Sequence, residues 1–272
     1  MRRCACLALG LLLLARIAAS QTTSKAGDTT AAAADEPVAN PGRPTVSTPA
    51  TITPVGYFQF ETGVMGAWQS PEFSSQFNLN EVIKFSITHR IELIAASVPY
   101  VRAHAAGQTI NGTGGYGLGA QVVLHSGEGA NPTIALGYLG VPYGGDTPDL
   151  DIGSFKNGVL VLISNDMKGF HLDSNFLFDE VEQAGVRRVE YGQTLSVSHL
   201  LGKGFLFAGE IWHFTQPFLR SNCVGNLWAI SYTAKKNLVF DAGFNHGFTS
   251  TSTQWEVFAG FTYLLPKKVK LR

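Results

Sequence analysis

Cysteine, charge and long apolar runs are all scarce in this chain, and each scarcity removes a class of protein. Of its three cysteines, Cys4 and Cys6 sit at the extreme N-terminus and only Cys223 lies further along. A chain that loses its first residues can form no intramolecular disulfide, so its fold must hold through packing and backbone hydrogen bonds. Charged residues make up 15% of the sequence, against roughly 25% in ordinary soluble domains. No segment past the N-terminus reaches the ~20 consecutive apolar residues that a membrane-crossing helix requires. A helical membrane domain is therefore excluded, and any crossing must be made by strands, which can satisfy their backbone groups by closing into a barrel. Acidic and basic residues balance, with 20 of each, and no basic cluster points to nucleic acid.

The N-terminus has three regions in order. Met1-Arg2-Arg3 is basic, Cys4 to Ala15 is apolar, and Ala18-Ala19-Ser20 supplies small residues before Gln21. That is the pattern of a secretory signal peptide, here residues 1–20. The apolar run is too short for an anchor and is broken by Arg16. Cys4 and Cys6 precede the small-residue site, which disfavours a lipoprotein. Cleavage removes Arg2, Arg3 and Arg16 and leaves a mild acidic excess.

Residues 21–54 are rich in Ala, Thr, Ser and Pro, with Ala31-Ala32-Ala33-Ala34 and five prolines from Pro37 to Pro54. This composition cannot build a core, and it reads as a flexible or extended periplasmic leader. The alternative is that its last part, Arg43 to Pro54, folds back into a pore as a plug.

From Val55 to Leu265 the texture becomes short runs of alternating polar and apolar residues. In the first, Phe58, Phe60 and Val64 share one face while Tyr57, Gln59 and Glu61 share the other, a period of two. Similar runs begin near Phe77, Ile91, Gly114, Asn131, Ser154, Gly169, Arg188, Gly204, Cys223, Leu238 and Gln254. The total is about twelve strands, each near the ~9–11 residues that cross a bilayer when tilted. Tight connections at 88–90, 126–129, 165–168, 201–203 and 234–237 alternate with longer ones at 68–76, 104–113, 143–153, 180–187, 217–222 and 248–253. Short periplasmic turns and longer outer loops are the asymmetry of outer-membrane barrels. The fold expected for residues 55–265 is thus all-β, a transmembrane antiparallel up-and-down β-barrel of about twelve strands, followed by a basic C-terminal tail over 266–272.

In such a barrel the outward face is apolar and the inward face polar. Phe240, Ala242 and Phe244 then meet lipid while Asp241 and Asn245 point inward. The same parity places Glu61, Lys84, Glu92, Asp173, Glu190, Glu210 and Asp241 as candidate lumen-lining residues. They either form a mildly cation-favouring lumen or pair with one another to satisfy the interior. Trp68, Tyr100, Tyr143, Trp212, Phe218, Trp255 and Tyr263 fall near strand ends, where aromatic girdles form.

Enzymatic chemistry finds little support. No two of the seven histidines stand at metal-ligand spacing with a suitable partner. Ser198 and His199 are adjacent in a strand, so their side chains face opposite ways. Gly112-Thr113-Gly114-Gly115-Tyr116-Gly117 enters a strand and not a helix, which removes the phosphate-loop reading. A barrel phospholipase would need a Ser, His and Asn constellation, and Ser221-Asn222 has no recognisable His partner.

The ordered segments Arg43-Pro44, Ser47-Thr48-Pro49, Pro54 and Gly56-Tyr57-Phe58-Gln59-Phe60-Glu61-Thr62-Gly63 resemble the N-terminal signature of the outer-membrane transporters of the meta-pathway phenol-degradation type. Ile83-Lys84-Phe85-Ser86-Ile87-Thr88-His89-Arg90-Ile91-Glu92-Leu93 is similar to that family's second hairpin. Looser likeness extends to Leu265. Ser86 stands where a glycine is common, Gly119-Ala120 where Gly-Asp is usual, and residues 266–272 extend past the last aromatic strand. The resemblance implies a twelve-stranded outer-membrane barrel that passes small hydrophobic or aromatic solutes by diffusion, with no cofactor. Its expected partners are outer-membrane lipids, a small-molecule solute and the outer-membrane assembly machinery. The competing expectation is a structural or surface-interaction barrel with a closed lumen, because ~12 strands enclose little space.

Overall fold

The computed structural model describes residues 36–150 and 152–269. The predicted signal peptide and the first part of the leader lie outside the described residues. Thirteen strands follow in chain order among them: β1 (Phe58–Trp68), β2 (Ser75–Ser86), β3 (Ile91–Ala105), β4 (Gln108–Gly112), β5 (Gly114–His125), β6 (Thr133–Gly145) and β7 (Ser154–Met167), then β8 (Phe170–Gln183), β9 (Val186–Gly202), β10 (Phe205–Gln216), β11 (Ser221–Lys235), β12 (Leu238–Gly247) and β13 (Trp255–Leu264). All pair antiparallel with their neighbours in one sheet. β1 closes the sheet by pairing with β13 from Gln59↔Leu264 to Trp68↔Trp255. β4 pairs with Val101 to Ala105 of β3, and β5 with Ile91 to Ser97 of the same strand. β4 and β5 are therefore one stave interrupted at Thr113, and the closed barrel has the expected twelve.

The connections differ from the expected alternation. Ala106-Gly107 and Ala184-Gly185, inside two of the anticipated long links, are two-residue turns with both residues at positive φ. Lys168-Gly169 and Lys203-Gly204 at the other end share that geometry, the primed hairpin turn whose twist matches the flanking strands and which glycine accepts without cost. Strands β3 and β4, and β8 and β9, run on past the bilayer length because these turns let the ladder continue. β9 reaches 17 residues. The connection anticipated as a tight turn at 126–129 is conversely longer, running from 126 to 132.

Burial follows the period-two pattern along most strands, with polar side chains inside. Gln59, Glu92, Gln121 and Asn175 are almost fully buried, while Phe207, Trp228, Phe240 and Phe244 are each more than 40% exposed. Outside, aromatic rings from adjacent strands pair, as Phe207 with Trp228 at 5.7 Å between centroids and Phe205 with Tyr232 at 4.7 Å. An apolar exterior around a hydrogen-bonded polar interior inverts a water-soluble barrel and suits a bilayer. Trp68 and Trp255, directly opposite in the β1–β13 register, are exposed as a girdle requires. Trp212 is not. It points inward and donates its indole N–H to Asn245 Oδ1 at 2.8 Å, because an inward position with an amide acceptor satisfies the ring nitrogen.

Candidate functional site

The interior is occupied by the chain's own N-terminal segment. The expectation of a flexible leader fails for its described part. From Ala39 to Pro54 it runs as a belt around the inside of the wall, meeting the staves one after another. Its start is fixed where the Ala39 N–H donates to the Lys236 carbonyl and where Gln59 exchanges two hydrogen bonds with Asn40. The Gly42 N–H donates to Glu61 Oε1 at 3.0 Å. Arg43 then forms a salt bridge to Asp241 on β12 at 3.0 Å.

On β10, Glu210 accepts the N–H groups of Val46 and Ser47 at 2.7 and 2.6 Å. On β8, Asn175 accepts from the Thr48 N–H at 2.6 Å and returns its Nδ2 to the Thr48 carbonyl at 2.9 Å. Ser164 of β7 accepts from the Ala50 N–H at 2.7 Å and itself donates to Asp173. Gln121 of β5 donates to the Pro49 carbonyl. Glu92 of β3 takes the Thr53 N–H at 2.8 Å, with the Thr53 hydroxyl also bonded to it. The belt ends beside Ser86 of β2 and enters β1.

A proline-rich segment lacks the donors and regular dihedrals for a sheet edge, so its remaining N–H groups are satisfied by wall side chains. Carboxylates make strong acceptors for them. Ala50 adds an apolar contact against Val123, Ala135 and Leu162.

The seven residues singled out in the sequence are thus placed as follows. Glu61 is shared between the belt and Lys84, whose Nζ lies 2.7 Å away. Glu92, Glu210 and Asp241 hold the belt directly. Asp173 takes the Ser164 hydroxyl and lies 3.2 Å from His171 Nε2. Glu190 is separate from the belt, half-buried on β9, opposite Asp179 and against a cavity nearer the loop end. Asn175, Ser164, Gln121 and Thr194 hold the belt as well, although uncharged inward positions gave no distinguishing signal beyond their parity.

At the other end the loop folds inward through its described residues 146–150 and 152–153 and reaches the opposite wall. Its carbonyls are held in turn: Pro148 by Gln76 Nε2 at 2.8 Å, Leu150 by Ser70 at 3.0 Å and Thr253 at 2.9 Å, and Ile152 by Gln216 Nε2 at 3.1 Å. Leu150 packs against Met65, Leu227, Ala229 and Phe258. Burial raises the Asp149 carboxyl of this loop above the ordinary carboxylate range, Glu72 adds to the rise, and Ser154 and Lys156 oppose it.

Cavities remain on both sides of the belt. One of about 290 Å³ lies between the belt and the β8–β12 wall, with Ser196, Ser198, Ser231 and Thr233 among its lining. Two more, of about 270 and 340 Å³, lie beneath the inward loop.

No protein-family model matches the chain, and no curated protein matches it in sequence. Solved structures do match in shape. The chain is similar to the COG4313 outer membrane channel from Pseudomonas putida F1, at a TM-score of 0.60 and 10% identity over 79% of this chain and 98% of that one. It is also similar to the NanC porin, at 0.51 and 11% identity over 77% and 100%, and to the KdgM porin, at 0.50 and 12% identity over 76% and 98%. At such identities the likeness is one of architecture: this chain folds as a closed antiparallel barrel of the outer-membrane type.

Proposed function

We propose that the protein is an outer-membrane channel, exported through a cleaved signal peptide, that lets small hydrophobic or aromatic solutes pass by diffusion. The observation that carries this reading is the lumen itself. Water-sized space persists on both sides of the belt inside a wall whose exterior is built for lipid. The Val82, Ala96, Leu139 and Val141 side chains that line the 340 Å³ cavity under the loop, beside Glu81 and Ser97, favour solutes with apolar bodies. The motif order that resembles the meta-pathway transporters points the same way. Charge selectivity takes second place, because Glu61, Glu92, Glu210 and Asp241 are each engaged by the belt.

The same belt favours a second reading, a structural barrel whose lumen stays shut. Solute flux into proteoliposomes separates the two. The channel reading expects flux of small aromatic solutes through the full-length protein, and faster flux when residues 36–54 are removed from a barrel that keeps its heat-modifiable gel mobility. Absence of flux from both proteins leaves only the closed barrel.

A further inference from the structure

The half of the lumen beneath the inward loop holds an acceptor without a donor. Gln76 donates to the Pro148 carbonyl, and Asn78 Nδ2 donates to Gln76 Oε1 at 3.1 Å. This relay orients the Asn78 amide, since its nitrogen is committed to Gln76. Asn78 is 4% exposed, and its Oδ1 is enclosed with no hydrogen-bond partner among the described residues. Buried polar atoms left in that state are rare and point to an absent partner. Asn78 lines the 270 Å³ cavity together with Asp149 and Glu190.

The 340 Å³ cavity adjoins it, with Asn80, Val98, Gly115, Asp149 and Phe155 common to both. Beyond those shared residues the second cavity is lined by Val82, Ala96, Tyr116, Leu139 and Val141, with Glu81 and Ser97 as its polar residues. Gly117 keeps it open, because a Cβ there would stand 3.1 Å from Leu139 Cδ1 and 3.2 Å from Val141 Cγ2. Among the described residues no lysine or arginine lines either space, although Lys156 stands beside Gly144 and acts on Asp149. The two cavities together present the carboxylates of Glu81, Asp149 and Glu190 and the Asn78 amide alongside an apolar lining of Val82, Ala96, Leu139 and Val141.

We propose that they form one binding site for a small primary amine with a compact apolar or aromatic body. The ammonium group donates to Asp149 and, after a small shift of the enclosed amide, to Asn78 Oδ1; Glu81 and Glu190 add negative charge, and the body fills the space between Val82, Ala96, Leu139 and Val141. An ammonium carries three donors and suits several acceptors at once, whereas a hydroxyl carries one. A cation also relieves the unfavourable burial of the Asp149 carboxylate. As a step in permeation the site rests on the channel reading above. As a binding site it is measured without flux.

Calorimetric titration of the full-length protein in detergent tests it, with 2-phenylethylamine, 2-phenylethanol and 3-phenylpropionate as probes. The expected result is saturable binding of the amine, about tenfold or more tighter than the alcohol, and none of the carboxylate. Asp149→Asn and Asn78→Leu each weaken amine binding by about tenfold, and Gly117→Val removes it by filling the chamber. Heat-modifiable mobility identifies variants that remain folded. Saturable binding absent from the wild type, equal for amine and alcohol, or unchanged in folded Gly117→Val overturns the proposal. If the variants do not fold, the wild-type probe series decides alone. Binding without flux refutes passage and leaves the site standing. Flux without saturable amine binding does the reverse.

Discussion

Ser47 and Glu210, 163 residues apart in sequence, are joined twice: the Ser47 backbone N–H reaches Oε1 at 2.6 Å and its hydroxyl reaches the same oxygen. The other carboxylate oxygen takes the Val46 N–H. One wall residue thus grips three donors of the belt. Glu210→Ala should free this stretch, at a loss of roughly 3 kcal/mol of belt attachment given ~1.5–3 kcal/mol for each hydrogen bond to a charged group and partial replacement by water. Hydrogen exchange at residues 45–48 should rise while the strands stay protected. Equal protection in the variant would show that Glu210 does not hold the belt.

Arg43 is the belt's second grip. Its guanidinium lies against the wall where Gly63 and Gly260 present no side chain, since a Cβ at either position would stand within 3 Å of it. Arg43→Ala leaves Asp241 buried without its cation and should destabilise the folded barrel by about 3–5 kcal/mol. Adding Asp241→Asn should recover part of that loss. The check is a double-mutant cycle read by urea unfolding in detergent, in which additive single losses would refute the coupling.

Gly63→Leu tests the same seat from the other side. The new side chain occupies the guanidinium's place, so Arg43 must leave Asp241 even though both charged residues are intact. The expected outcome is an exchange pattern at residues 42–45 like that of Arg43→Ala. A pattern like the wild type would mean that the belt accommodates the bulk.

The inward loop should respond to acidity. Burial raises the Asp149 carboxyl above its ordinary range, so the inward state binds its proton more tightly than the open state does. The inward state therefore gains stability as pH falls through the raised value towards the ordinary one, and loses it as pH rises through that window. Loop exchange at residues 146–153, corrected for intrinsic rates, should be slower in mild acid than at neutral pH. Asp149→Asn should flatten the difference. Glu72, Glu190 and Lys156 lie in the same region, and a dependence that survives Asp149→Asn would assign it to one of them.

The exterior makes its own demand. Ile230, exposed on β11 and opposite Phe207, should cost about 2–4 kcal/mol when replaced by Arg near the bilayer midplane. Unfolding from lipid vesicles measures it. A negligible change would place this belt of side chains away from the membrane core.

The sequence by itself determined the barrel. Strand number and the sorting of side chains between faces depend on a period of two, which is local, so Asp241 inward beside Phe240 outward is legible within a few residues. The two-residue turns at Ala106-Gly107 and Ala184-Gly185 were not legible, and the segments around them read as long links, because polar strand extensions beyond the bilayer lose the alternation that lipid imposes.

Only the tertiary structure decided what fills the barrel. Arg43 meets Asp241 across 198 residues and Ala50 meets Ser164 across 114, and no periodicity marks a segment whose order comes from donating single N–H groups to a distant wall. Composition alone favoured a free leader for residues 39–54. The enclosing carboxylates, already identified by their parity, turn that segment into part of the interior, because a buried carboxylate must find donors and the belt supplies them.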